Sequence, residues 1–131
     1  GTGTGLELIR ELGYSKIKGI DLSDKMIEIA KSKYHDINFI IGDMLSVSNW
    51  EPGSLAICNF DTINYLISKD EWSHFFSVVR KALKTGGVFL FDSLTLNDHE
   101  NNWPNYTRVI ENEEYVLINH GDYQNNIAHH T

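Results

Sequence analysis

Short apolar runs alternate with amphipathic stretches along most of this chain of 131 residues. Leu6, Leu8, Ile9 and Leu12 recur at helical spacing and predict a short helix from Thr4 to Leu12, capped by Thr4 and ended by Gly13. Lys16 to Ile20 predicts a strand. Ser23 is a good N-cap for a helix from Asp24 to about Tyr34, with Met26, Ile27, Ile29 and Ala30 on its buried side. The β-branched and aromatic run from Ile37 to Ile41 predicts the next strand, stopping at Gly42-Asp43. Glu51-Pro52-Gly53 reads as a turn before a strand from Leu55 to Phe60. Asp70 is the expected cap of a longer helix to Leu83, in which Trp72, Phe75, Phe76, Val79 and Leu83 form the core face. Gly86-Gly87 then turns the chain into the apolar run Val88 to Phe91, which ends on Asp92.

Uninterrupted apolar strands alternating with amphipathic helices predict an α/β fold with a doubly wound, mostly parallel sheet covered on both faces. The pattern changes after Asp92. Residues 93–105 are polar and loop-like, and from Tyr106 an antiparallel meander is expected, with turns at Glu111-Asn112-Glu113 and Gly121-Asp122. The expected organisation is an α/β core over residues 1–95 and an antiparallel β insertion over 96–131, an incomplete substrate cover. A glycine turn of this type needs a hydrophobic strand leading into it, yet the chain starts on the glycine, and it breaks off inside a strand pattern. An internal segment of a longer domain, lacking the first strand, is therefore expected.

Composition narrows the classes. An apolar content of 41% with 11% aromatic residues suits a packed core, and a net charge of −7 without a basic cluster argues against a nucleic-acid surface. The single cysteine, Cys58, lies in an apolar setting and reads as an inert core thiol. No run of about 20 apolar residues that would cross a bilayer occurs, so a cytoplasmic location is the default.

Candidate chemistry gathers at the ends of the strands, where an open α/β sheet binds its ligands. Gly1, Gly3 and Gly5 remove the Cβ atoms that keep a ligand from the backbone, and Asp21 stands at the tip of the next strand, where a carboxylate accepts from ribose hydroxyls. The following tips carry Gly42-Asp43-Met44 and Asn59-Phe60-Asp61. The bland alternatives are specific: Asp21 capping Ser23-Asp24, Asp43 forming a turn, Asp61 capping at Thr62, and Asp92 facing solvent. His99, His120, His129 and His130 fit no standard metal-ligand spacing and read as surface or strand-face residues, so no metal is expected. Trp103-Pro104, Tyr106 and Tyr123 either line an acceptor pocket or cover the core.

Together, the initial GTG, GIDLSDKMIEIAK, FIIGDM, NFDTINYL and VRKALKTGGVFLFD resemble a class I S-adenosylmethionine-dependent methyltransferase, over about residues 1 to 95. The segment from Asn97 onward is similar to an antiparallel insertion in a small-molecule-type subgroup. The resemblance implies a Rossmann-like fold with S-adenosyl-L-methionine as cofactor and a small-molecule methyl acceptor. It implies that Gly1 and Gly3 meet the methionine part, that Asp21 takes the ribose hydroxyls and that Leu22 lies against the adenine. Asp43 would accept from the adenine amino group, the Met44 amide would donate to the ring, and Asn59 and Phe60 would flank the methionine part near the sulfonium. Asn64 and Tyr65 would stand on the acceptor side, with no catalytic residue assigned.

Two other readings compete. A nicotinamide-dependent oxidoreductase also uses a ribose-binding Asp after a glycine turn, but GxGxxG requires glycine where Leu6 stands. A non-catalytic cofactor-binding remnant is the third reading, motivated by the missing first strand.

Overall fold

The computed structural model describes residues 1–48, 50–102, 106–124 and 127–130. The order of elements is α1 (Thr4–Glu11), β1 (Lys18–Asp21), α2 (Asp24–Lys33), β2 (Asn38–Ile41), a 3-10 turn (Met44–Ser46), β3 (Gly53–Cys58), a second 3-10 turn (Thr62–Tyr65), α3 (Lys69–Ala82), β4 (Leu83–Phe91), α4 (Leu96–Asn101), β5 (Tyr106–Glu111), β6 (Val116–Gln124) and β7 (Ile127–His130). The chain divides into two compact units, residues 1–56 with 73–88, and residues 57–72 with 89–131.

In the first unit β1 and β2 run parallel, with Asp21 in register with Ile41. Helix α2 lays Ile27 and Ala30 against Ile37 and Phe39, and these four buried residues, joined by Leu6, Ile17 and Tyr34, form its core. Ser23 caps α2 as its sequence predicts, its side chain accepting from the Met26 amide. Helix α1 is capped by Gly3 with φ +83° and not by Thr4, which lies inside the helix. The left-handed turn comes one residue earlier because only glycine takes that φ without strain.

Strands β3 and β4 are neighbours in a second sheet. Strand β4 starts at Leu83 and runs through Gly86, whose φ of +79° bends it, so Gly86-Gly87 is a kink inside the strand. Val88 and Leu90 are 58% and 56% exposed, so the expectation of a strand covered on both faces is not met there. On α3 the buried residues are Phe75 and Val78, with Leu83 just beyond; Phe76 is 39% exposed.

In the second unit β5, β6 and β7 form the antiparallel meander. Its first turn is at Asn112 to Tyr115, whereas Gly121 and Asp122 lie within β6, Gly121 in register with Tyr106 of β5 and His130 of β7, and Asp122 with His129 of β7. The polar stretch after Asp92 contains helix α4, which begins with a reciprocal capping box between Thr95 and Asp98. Asp70 lies in the first turn of α3. The cap is Ser68, whose hydroxyl accepts from the Glu71 amide while the Glu71 carboxylate accepts from the Ser68 amide.

Candidate functional site

Parallel pairing of β1 and β2 brings two acidic strand tips together in the first unit. The Gly42 amide donates to the Asp21 carbonyl at 2.9 Å, so Asp21 and the segment starting Gly42-Asp43 leave the sheet side by side. The Asp21 carboxylate accepts from the Ser23 amide at 2.8 Å through one oxygen and pairs with the Gly1 ammonium through the other. Burial works against ionisation of Asp21, and the Ser23 amide favours it. Asp43 caps the Met44–Ser46 turn by accepting from the Leu45 amide at 2.8 Å. Both local roles foreseen as alternatives are therefore filled, and each uses one lone pair of a carboxylate that carries four. The remaining acceptor capacity suits a ligand that donates hydrogen bonds from ribose hydroxyls and an amino group.

Gly1, Gly3, Asp21, Leu22, Asp43 and Met44 all lie in this unit. A Cβ on Gly1 would meet nothing within 4 Å, whereas one on Gly3 would strike the rings of Phe39 and Tyr34. Gly3 thus serves packing beneath the turn, and Gly1 leaves the backbone open above it. Leu22 is 74% exposed beside Asp21, an apolar side chain that the core does not take.

Asn59, Phe60, Asn64 and Tyr65 lie in the second unit. Phe60 and Asp61 are the two non-glycine residues with positive φ among the described residues, at 59° and 49°. Asp92, at the end of β4, accepts from both of their amides, at 3.0 and 2.8 Å. Asp92 is exposed, as the solvent-facing alternative has it, and its carboxylate also organises this turn. Asp61 occupies the cap position of the Thr62–Tyr65 turn without a side-chain capping bond, and its carbonyl accepts from the Asn64 amide instead.

Asn64 links this turn to the segment after β4. Its Oδ1 accepts from the Leu94 amide at 3.0 Å and its Nδ2 donates to the Leu94 carbonyl at 3.4 Å. The same Nδ2 lies 3.3 Å from His99 Nε2, so with Oδ1 committed to an N–H the imidazole nitrogen is the acceptor there. The His99 ring stacks on Tyr123 at 5.7 Å. His99 is therefore a neighbour of the acceptor-side candidate Asn64, joined across 35 positions that no local spacing reveals. His120 bonds Thr107 on the exposed face of the meander, and His129 and His130 belong to β7. Trp103 and Pro104 lie outside the described residues. Among the described residues no cluster of three or more metal-ligating side chains occurs, and no helix is long and apolar enough to cross a membrane.

A glycine turn at a helix start, followed by acidic tips on adjacent parallel strands, defines a nucleoside-binding α/β domain. Residues 1–87 match the methyltransferase domain family, and the chain belongs to that family. It is 32% identical over 92 residues to the dTDP-4-amino-2,3,4,6-tetradeoxy-D-glucose N,N-dimethyltransferase of Saccharopolyspora spinosa, a match covering 70% of this chain and 36% of the relative. The structure superposes on an S-adenosylmethionine-dependent methyltransferase from Clostridium acetobutylicum with a TM-score of 0.87 at 23% identity, covering 98% of this chain and 53% of the other. It superposes on CalS10, an amino pentose methyltransferase from Micromonospora echinaspora solved with SAM bound, with a TM-score of 0.80 at 19% identity, covering 98% and 55%. The fold is the Rossmann-like methyltransferase fold, and the chain spans about half or less of the length of these proteins.

Proposed function

We propose that the chain is the cofactor-binding part of an S-adenosylmethionine-dependent methyltransferase that acts on a small molecule in the cytoplasm. The observation that carries this reading is the placement of Asp21 and Asp43 at the ends of adjacent parallel strands, with the Gly42 amide bonded to the Asp21 carbonyl. When bound, the cofactor would supply a sulfonium-activated methyl group, whose carbon the acceptor's lone pair would attack in line, the new bond forming as the C–S bond breaks and its electrons stay on the departing thioether sulfur. Asp21 holds the ribose hydroxyls and Leu22 the adenine face. Asp43 accepts from the adenine amino group and the Met44 amide donates to the ring. Gly1 and Gly3 admit the methionine part, and Asn59 and Phe60 flank it.

Alignment and close approach are the main demands of such a displacement. Asn64 and Tyr65 are assigned to the acceptor side, and Tyr65 is 80% exposed, an aromatic available to a ligand. Residues 1–95 are assigned as the cofactor-binding core and residues 96–131 as an incomplete substrate cover. A relative named for N,N-dimethylation of an amino sugar nucleotide supports an amine acceptor, which attacks as the neutral base and then gives its proton to solvent. The net charge of −7 supports a small acceptor over a nucleic acid.

Titration calorimetry of the full-length protein with S-adenosylmethionine, S-adenosylhomocysteine and NAD tests the reading, beside an Asp21→Ala variant. Binding of both sulfur compounds, lost with Asp21 and absent for NAD, is the expected result. A folded protein that binds neither would refute it, and binding of NAD alone would move the assignment to an oxidoreductase.

A further inference from the structure

We infer that Asp92 is a positioning residue that locks Phe60 and Asp61 in the conformation required at the methionine end of the cofactor site. The inference rests on the proposed assignment of Asn59 and Phe60 to that site. Two successive residues with side chains adopt φ of 59° and 49° here, a region that costs each of them energy and that bulky residues rarely enter. A backbone curled in this way aims neighbouring amides at one anion. The Asp92 carboxylate is that anion, taking the Phe60 amide on Oδ2 at 3.0 Å and the Asp61 amide on Oδ1 at 2.8 Å.

Other bonds complete the lock. The Thr62 hydroxyl donates to the Asn59 carbonyl at 2.7 Å, and the Asn64 amide donates to the Asp61 carbonyl at 2.8 Å. Asp92 is itself held at the strand end, its amide donating to the Cys58 carbonyl at 3.3 Å. With its backbone fixed in this way, the Phe60 ring is nonetheless 84% exposed. Core packing does not explain a strained, anchored turn that presents an aromatic ring outward. A ligand-facing turn does. The Phe60 and Asp61 amides are committed to Asp92, and the carboxylate adds negative charge beside the turn. Both features favour a cationic group, such as a sulfonium, over an anionic one.

The test is calorimetric titration of full-length wild type, Asp92→Asn, Asp92→Ala and the double variant Asp92→Ala/Asp61→Gly. The ligands are S-adenosylmethionine, S-adenosylhomocysteine and 5′-methylthioadenosine, which keeps the nucleoside but lacks the amino-acid arm. Asp92→Ala should weaken the first two by about tenfold and leave methylthioadenosine within about twofold. Asp92→Asn, which retains one acceptor oxygen, should fall between. Glycine at position 61 accepts positive φ without help, so the double variant should regain part of the lost affinity. If Asp92→Ala does not fold, Asp92→Asn and the double variant give the same comparison.

Equal weakening of all three ligands would overturn the inference, because it indicates a general structural role. Unchanged affinities in Asp92→Ala, with binding still lost in Asp21→Ala, would also overturn it while leaving the cofactor assignment standing. Failure of wild type to bind any of the three would refute the cofactor assignment itself.

Discussion

Gly3 lies with φ +83° against the ring of Phe39, so close that a Cβ on it would fall 2.8 Å from Phe39 Cζ and 2.9 Å from Tyr34 Cδ2. The glycine turn is therefore constrained from below by aromatic packing, apart from any ligand above it. Gly3→Ala combines backbone strain with a clash against two rings and should cost about 2–4 kcal/mol in urea denaturation. A loss below about 0.5 kcal/mol would mean that the rings yield freely and that packing does not fix this residue.

Ile27 and Ile29 sit two positions apart on one helix, at 1% and 41% exposure. Ile27→Ala empties a site against Ile37 and Phe39 and should lose about 2–4 kcal/mol, whereas Ile29→Ala should lose less than about 1 kcal/mol. Equilibrium denaturation of the two variants checks this, and similar losses would contradict the packing described here.

These two isoleucines show what the apolar pattern carries. Helical spacing marks Met26, Ile27, Ile29 and Ala30 as one broad stripe, but the neighbours Ile37 and Phe39 decide that Ile27 and Ala30 are the buried pair. The acidic tips Asp21 and Asp43 were legible because strand length and strand end are local properties. Helix α4 was not, since Leu96–Asn101 has almost no apolar stripe; only the Thr95/Asp98 box, spaced as a helix start, marks it. Gly121-Asp122 looks like a turn by residue type, yet pairing of Gly121 with β5 and β7, and of Asp122 with β7, holds both residues in a strand. The Asp92 bonds to Phe60 and Asp61, and the Asn64 contact with His99, span more than thirty positions. Such links depend on how strand ends meet and leave no trace in local spacing.

The start of α3 offers a sharper test of a local signal. Ser68 and Glu71 each accept from the other's amide, so both satisfy donors that the first turn leaves open. Ser68→Ala should cost about 1 kcal/mol in equilibrium denaturation, and Asp70→Ala much less. Because the two halves of the box depend on each other, Ser68→Ala/Glu71→Ala should lose less than the sum of the single losses. A larger loss for Asp70→Ala than for Ser68→Ala would return the cap to Asp70.

Cys58 reports on Asp92 through its own ionisation. Burial lifts its thiol above the usual range and the nearby Asp92 charge lifts it further, against a partial lowering by a hydrogen bond with the Ile63 backbone. The folded protein therefore keeps the thiol proton to higher pH than the unfolded chain does. It follows that the neutral thiol's contribution to stability is complete below the unfolded pKa of about 8.5 and is lost as pH rises from there through the folded pKa. Iodoacetamide alkylation of native wild type should show a midpoint above that of a free thiol. Asp92→Asn removes the charge but not the burial, so its midpoint should drop while staying above the free-thiol value. Cys58→Ala should flatten the fall in stability between about pH 8 and 10. A wild-type midpoint at or below that of a free thiol, or one indifferent to Asp92→Asn, would show that the strand-end carboxylate does not act on Cys58.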